Sequence, residues 1–342
     1  MIKINEDANM SDSFDAGTRR GQRRRTLGML FAAAVAAPFA DPARARAAGV
    51  PREVRIGYQK YGTLTLLKGR GTLEQRLARQ NIAVKWTEFP AGPALLEGLN
   101  VGSIDFGTVG EAPPIFAQAA GANLVYVGNE PPSPDSEAIV VPKTSTLRGV
   151  AELKGRKVAL NKGSNVHYLL VKALEKAGVD YRDIQTVYLP PAEARAAFER
   201  GAVDAWVIWD PFLAAAEKQL GARVLATGQG LAANHQFYVA ARPFAEQYPD
   251  VVRGVIDELA KVDEWGRTHQ QDVATILAAQ TGLPADVVAL AARRYAYGVR
   301  TVTPEVLRAQ QKIADTFHNL KLIPKPIVVR DAQPPAQLLA KE

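Results

Sequence analysis

Cysteine is absent from the 342 residues of this chain. That excludes a disulfide scaffold, a thiolate metal site and a thiol-nucleophile enzyme. Histidine is scarce as well. His167, His235, His269 and His318 are scattered without an HxxxH pair, so no metal and no cofactor are expected. A GxxxxGK[ST] loop is missing, and with it a nucleotide-hydrolysing site of that kind. The one long apolar run, Leu27–Ala40, falls short of the ~20 residues a membrane span needs.

That run has the surroundings of an export signal. Arg23-Arg24-Arg25 precedes it, and Ala45-Arg46-Ala47 supplies a small-x-small cleavage pattern before Ala48. The long charged lead and the paired arginines point to the twin-arginine route. Residues 1–47 are therefore expected to be removed, leaving a protein free in the periplasm. They hold eight Lys/Arg and five Asp/Glu, so the formal charge of +7 falls to +4 without them. A mild basic excess attracts anions but is no nucleic-acid footprint.

Hydrophobic residues make up 47% and charged residues 23% of the chain, enough for a buried core and more than one domain. Strand and helix signals alternate from Val54 onward. Strands are predicted at Val54–Tyr58, Ile82–Phe89, Ile104–Thr108 and Leu124–Gly128, with a helix over Leu66–Arg79 between the first two. A turn-rich break at Pro131–Asp135 leads to a second series through Ala138–Val141, Lys157–Leu160, Gln185–Leu189 and Asp204–Trp209. Such alternation predicts parallel sheets covered on both faces, an α/β fold. Pro243–Leu320 reads as helical, broken at Gly282-Leu283-Pro284 and Thr303-Pro304.

The most pointed stretch is Asn100–Ala122, NVGSIDFGTVGEAPPIFAQAAGA. A strand runs into Gly110-Glu111-Ala112-Pro113-Pro114 and an apolar helix follows. Proline suits a first helical turn, the glycine permits close approach, and the free N–H groups with the positive dipole end favour a small anion. The wording of this segment resembles the aliphatic-sulfonate-binding proteins of bacterial ABC importers. FPAGP (Phe89–Pro93), IFAQAAGANLVYVG (Ile115–Gly128), PAEARAAFERGAVDAWVIWDPF (Pro191–Phe212) and FYVAARPFAE (Phe237–Glu246) match in order, and the resemblance covers roughly Val54–Lys325.

The resemblance implies a two-lobed periplasmic binding protein (type II) with two crossovers, near 138–143 and 230–238, and C-terminal helices packing back. Lobe 1 is then expected over 53–140 plus 236–330, lobe 2 over 141–235, and a tail over 331–342. It implies capture of an organosulfonate by a monomer, with delivery to a membrane permease and its ATPase in sulfur acquisition. Taurine, nitrate or an aromatic sulfonate are the alternative ligands. Desulfinases resembling this fold depend on a cysteine, so no enzyme is expected.

Ligands of open α/β folds lie at the C-terminal ends of strands, which selects the candidate residues. Gln59 and Thr63 follow the first strand with neutral donors. Gly110 and Glu111 follow the third, where relatives carry the shorter aspartate. Gly163, Ser164 and Asn165 open the helix after Lys157–Leu160, a second anion seat with a hydroxyl at its cap. His167 there reads as helix packing. Trp209 offers an apolar wall, Asp210 a cap for the next helix, and Gln236 a contact near the second crossover.

Overall fold

Residues 49–339 are described by the computed structural model; the expected export signal lies outside them, as do the last three residues of the expected tail. The first strands are β1 (Glu53–Tyr58), β2 (Ala83–Glu88), β3 (Phe106–Gly110) and β4 (Leu124–Asn129). Then come β5 (Glu137–Val141), β6 (Lys157–Leu160), β7 (Gln185–Tyr188), β8 (Ala205–Trp209), β9 (Arg223–Thr227) and β10 (Gln236–Ala241). They form two five-stranded sheets, in the orders β2-β1-β3-β10-β4 and β7-β6-β8-β5-β9. The orders are the same pattern used twice. In each, the fourth position is filled by a strand arriving from the other sheet.

That exchange overturns the expectation of purely parallel sheets. β10 runs antiparallel to β3 and β4, and β5 antiparallel to β8 and β9. A chain that enters from the opposite sheet comes in at the far end, so its strand points the other way. The remaining pairings given between neighbours are parallel, as in β1 with β2 from Glu53↔Ala83 to Tyr58↔Glu88. The chain crosses between sheets at 130–136 and again at 228–235. Residues 137–140 therefore pair in the second sheet, and the first crossing comes earlier than the expected 138–143.

The helices are α1 (Thr63–Arg70), α2 (Thr72–Ala78), α3 (Gly92–Asn100), α4 (Pro113–Ala119), α5 (Asn165–Lys176), α6 (Pro191–Glu199) and α7 (Phe212–Leu220). The predicted helix over Leu66–Arg79 is two. Gly71 adopts φ 65°, a left-handed C-cap whose N–H returns to Leu67 and Lys68, and the chain restarts from there. The C-terminal third holds α8 (Arg242–Gln247), α9 (Pro249–Thr268), α10 (Gln270–Thr281), α11 (Ala285–Arg294), α12 (Pro304–Asn319) and α13 (Ala336–Leu339). These helices tie the two halves together. Val251, Val255 and Leu259 of α9 join the core under β1, beside Val54, Ile56, Leu64 and Leu67. Val287 and Ala291 of α11 pack on Ala214 and Ala215 of α7. Phe317 of α12 meets Phe116 of α4 at 4.8 Å and His167 of α5 at 5.3 Å between ring centres.

Candidate functional site

Strand order reverses at β1 and β3 in one sheet and at β6 and β8 in the other. Such points leave crevices at the strand ends, because the connections depart to opposite faces. Here the two crevices face each other. Gln59 follows β1 and Gly110 ends β3, while Ser164 precedes α5 after β6 and Trp209 ends β8. Two adjoining cavities result. A small one of about 30 Å³ is lined by Gln59, Gly110, Ser164, Asn165, Trp209 and Gln236, with Tyr61, Gly62, Gly92, Thr108 and Tyr295. A larger one of about 310 Å³ shares Gln59, Tyr61 and Trp209, and its walls are mostly apolar: Phe89, Pro90, Pro190, Pro191, Pro211, Phe212 and Leu283.

The small cavity offers hydrogen-bond donors to a compact group of negative charge. Ser164 is the N-cap residue of α5, so the first N–H groups of a 12-residue helix have no partner within it. Among the described residues lining this cavity there is no lysine or arginine. Backbone and neutral side chains must therefore do the holding, an arrangement suited to a weakly basic anion. The Ser164 hydroxyl does not cap the helix as expected; it donates to the Asn161 carbonyl at 2.7 Å. The Asn165 amide is committed elsewhere too, donating to Glu137 at 2.7 Å and to Asn234 at 2.8 Å. Gln59 donates to the Thr108 carbonyl at 3.1 Å and fixes the loop after β1 to β3. Gln236 sits opposite Gly110 in the β10–β3 register.

Gly110 marks where the two halves touch. A Cβ there would come within 2.9 Å of Asn165 Cγ and Oδ1 across the crevice. Glycine is thus required by close approach, with no demand on φ. Trp209 and Phe212 stand edge to face at 6.3 Å and form one wall of the apolar cavity. At its mouth Lys60 and Glu88 pair at 3.4 Å.

Four expected residues do not line the small cavity. Thr63 points into the core, donating to Asp263 at 2.6 Å. Gly163 is a turn residue: its φ of 75° needs glycine, and its N–H donates to His167 Nδ1 at 3.2 Å. Asp210 is fully buried, accepting from the Ala214 N–H at 2.9 Å and facing Arg294 at 3.5 Å. Burial pushes its carboxyl up to about 7 against the pull of Arg294. Glu111 is buried behind the cavity, accepting the His235 N–H at 3.2 Å. His167 is the packing residue it was read as, with Nε2 against the Tyr181 hydroxyl at 2.7 Å. Sequence reasoning missed Tyr61, Thr108 and Tyr295. Tyr61 lay in a segment already singled out, but Tyr295 comes from the helical C-terminal third, where nothing local marks it.

Comparison with known proteins follows the same outline. The model of the NMT1-like family matches residues 47–280. A curated protein of Escherichia coli (strain K12), whose name marks it provisionally as an aliphatic sulfonates-binding protein, is 47% identical over 295 residues. The match spans 85% of this chain and 92% of that one. The alkanesulfonate-binding protein SsuA from Xanthomonas axonopodis pv. citri, solved bound to MOPS, superposes with a TM-score of 0.79 at 44% identity. It covers 83% of this chain and 98% of its own. The periplasmic aliphatic sulphonate binding protein SsuA from Escherichia coli superposes with a TM-score of 0.74 at 46% identity, over 83% and 92%.

Proposed function

The chain belongs to the NMT1-like family, and on that premise we propose that it is the solute-binding component of an importer for aliphatic sulfonates. It captures the ligand between two lobes, one built on β1–β4 and β10 and the other on β5–β9, and presents it to a permease powered by a separate ATPase. It works as a monomer in the periplasm, after removal of residues 1–47. No bond of the ligand is made or broken.

The observation that carries this reading is the pairing of a small cation-free polar cavity with a larger apolar one. A sulfonate is a weak base that stays ionised, so helix N–H groups and neutral donors suffice for its head. The carbon chain then extends along Trp209, Phe212 and Phe89. Relatives at 44–47% identity whose names refer to sulfonates support the same assignment. Taurine fits less well, because its ammonium would enter the apolar cavity, where the lining carboxylate, Glu88, is already paired with Lys60 at the mouth.

Calorimetry on the chain from Ala48 tests it, after unfolding and refolding to remove carried-over ligand. Phosphate is the buffer of choice, since the common zwitterionic buffers are themselves sulfonates. Ethanesulfonate and hexanesulfonate should bind saturably, with sulfate and nitrate far weaker. Binding of nitrate or a carboxylate with failure of every sulfonate would overturn the ligand assignment while leaving the fold standing.

A further inference from the structure

Directly behind the small cavity, side chains from four separate segments meet in the protein interior. Glu111 follows β3, Glu137 opens β5, Asn165 opens α5 and Asn234 lies on the second crossover; all are buried. The Asn165 amide donates to Glu137 Oε2 at 2.7 Å and to Asn234 Oδ1 at 2.8 Å, so one group ties the start of β5 to the second crossover. Asn234 holds φ 53°, which asparagine tolerates, and turns its own amide onto the Ser133 carbonyl and the Ser136 hydroxyl, each at 2.9 Å. Glu111 accepts the His235 N–H through Oε2. Oε1 of Glu111 and Oε1 of Glu137 are left buried without a partner.

A buried carboxylate with a bare oxygen is costly, whereas a protonated carboxyl gains a donor. Two carboxyls that feel each other's charge resist ionising together. Burial pushes Glu111 up to about 7, and burial plus the charge of Glu111 pushes Glu137 well above the usual range. Among the described residues, no lysine or arginine pairs with either carboxyl. The groups facing the pair are Tyr168 on α5, the neutral Gln310 of α12 on the Glu111 carbonyl, and His235, whose basicity burial lowers.

We propose that Glu111 and Glu137 act as positioning residues that do not ionise together: the proton one of them keeps spares Asn165, and with it the start of α5 seated against Gly110, the repulsion of two buried like charges. Loss of the proton sets two like charges beside both crossovers and loosens the anion seat. This regulation rests on the sulfonate reading of the site. A sulfonate in the neighbouring cavity adds a third negative charge, so ligand and proton favour each other's binding.

The test is calorimetry with hexanesulfonate from pH 5.5 to 9, in phosphate and in Tris. The ligand stays ionised throughout, so any pH dependence belongs to the protein. Affinity should hold below the transition and fall by up to about tenfold per pH unit above it. At pH 8 the heats in the two buffers should differ by the uptake of part of a proton. Glu137→Gln and Glu111→Gln, each supplying an amide donor in place of the proton, should flatten both signals. A wild-type affinity that stays constant over the range, or a slope that persists in both variants, overturns the proposal. If no sulfonate binds at any pH, the ligand reading fails, and the clasp is judged on the ligand-free protein. Its urea midpoint should drop between pH 6 and 8.5, and less so in Glu137→Gln; an equal drop overturns the clasp.

Discussion

Gly110→Ala is the sharpest perturbation of the crevice. The added methyl would lie 2.9 Å from Asn165 Cγ and Oδ1 and 3.0 Å from its Cβ. An ordinary contact needs roughly half an ångström more. Asn165 has little room to give, because its amide is held by Glu137 and Asn234. Either one of those hydrogen bonds breaks or the cleft stays slightly open. A hydrogen bond costs about 1 kcal/mol, somewhat more when the partner is charged, and overpacking costs about 1–3 kcal/mol. Hexanesulfonate should therefore bind roughly 5- to 150-fold more weakly. Gly110 ends an extended strand and has no positive φ, so alanine adds no backbone strain. Opening of the ligand-free crevice would relieve the contact, and the unfolding free energy should then change by less than about 0.5 kcal/mol. Calorimetry and urea unfolding on the same preparation measure both quantities. Affinity within twofold of wild type would refute the reasoning, as would a loss of stability as large as the loss of affinity.

Trp209→Ala removes the wall shared by both cavities. It should weaken hexanesulfonate by about 1–2 kcal/mol and methanesulfonate by much less, read as two calorimetric affinities. Gly163→Ala forces a side chain into φ 75° and to within 3.2 Å of Phe116, so the unfolding free energy, read by urea titration, should fall by about 1–2 kcal/mol. His167 is buried and held neutral, its pKa lowered from 6.5 to about 3 by burial and by Lys162. The unfolded chain binds its proton first, so the stability held above pH 6.5 is lost as pH falls toward 3. His167→Gln should reduce the drop in urea midpoint between pH 7 and 4; an unchanged drop would assign acid sensitivity to other groups.

The strand ends that carry the site were legible because they rest on local patterns. Gly110 before Pro113-Pro114 and Ser164 before an apolar helix are signals confined to a few residues, set by the start of the helical period and by proline's missing N–H, although the Ser164 hydroxyl turns to the Asn161 carbonyl rather than to the helix. The reading failed where side-chain direction depends on a distant partner. Thr63 turns to Asp263, 200 positions away, and Asp210, which does accept from the first turn of the next helix as read, is buried against Arg294 on α11 and not in the small cavity. Glu111 was taken for a ligand neighbour, and its burial follows from the crossover at Asn234 and His235 folding over it.

The sequence by itself determined the alternation of strands and helices, the lack of any thiol, and the helix start at Ser164. These follow from period, capping and composition, which act over one or two turns of chain. Only the tertiary structure decided that each sheet borrows a strand from the other, and that Tyr295 joins the cavity. It alone brought Glu111, Glu137, Asn165 and Asn234 together. Those outcomes depend on which surfaces close over one another, and burial converts an unremarkable glutamate into a group whose proton matters.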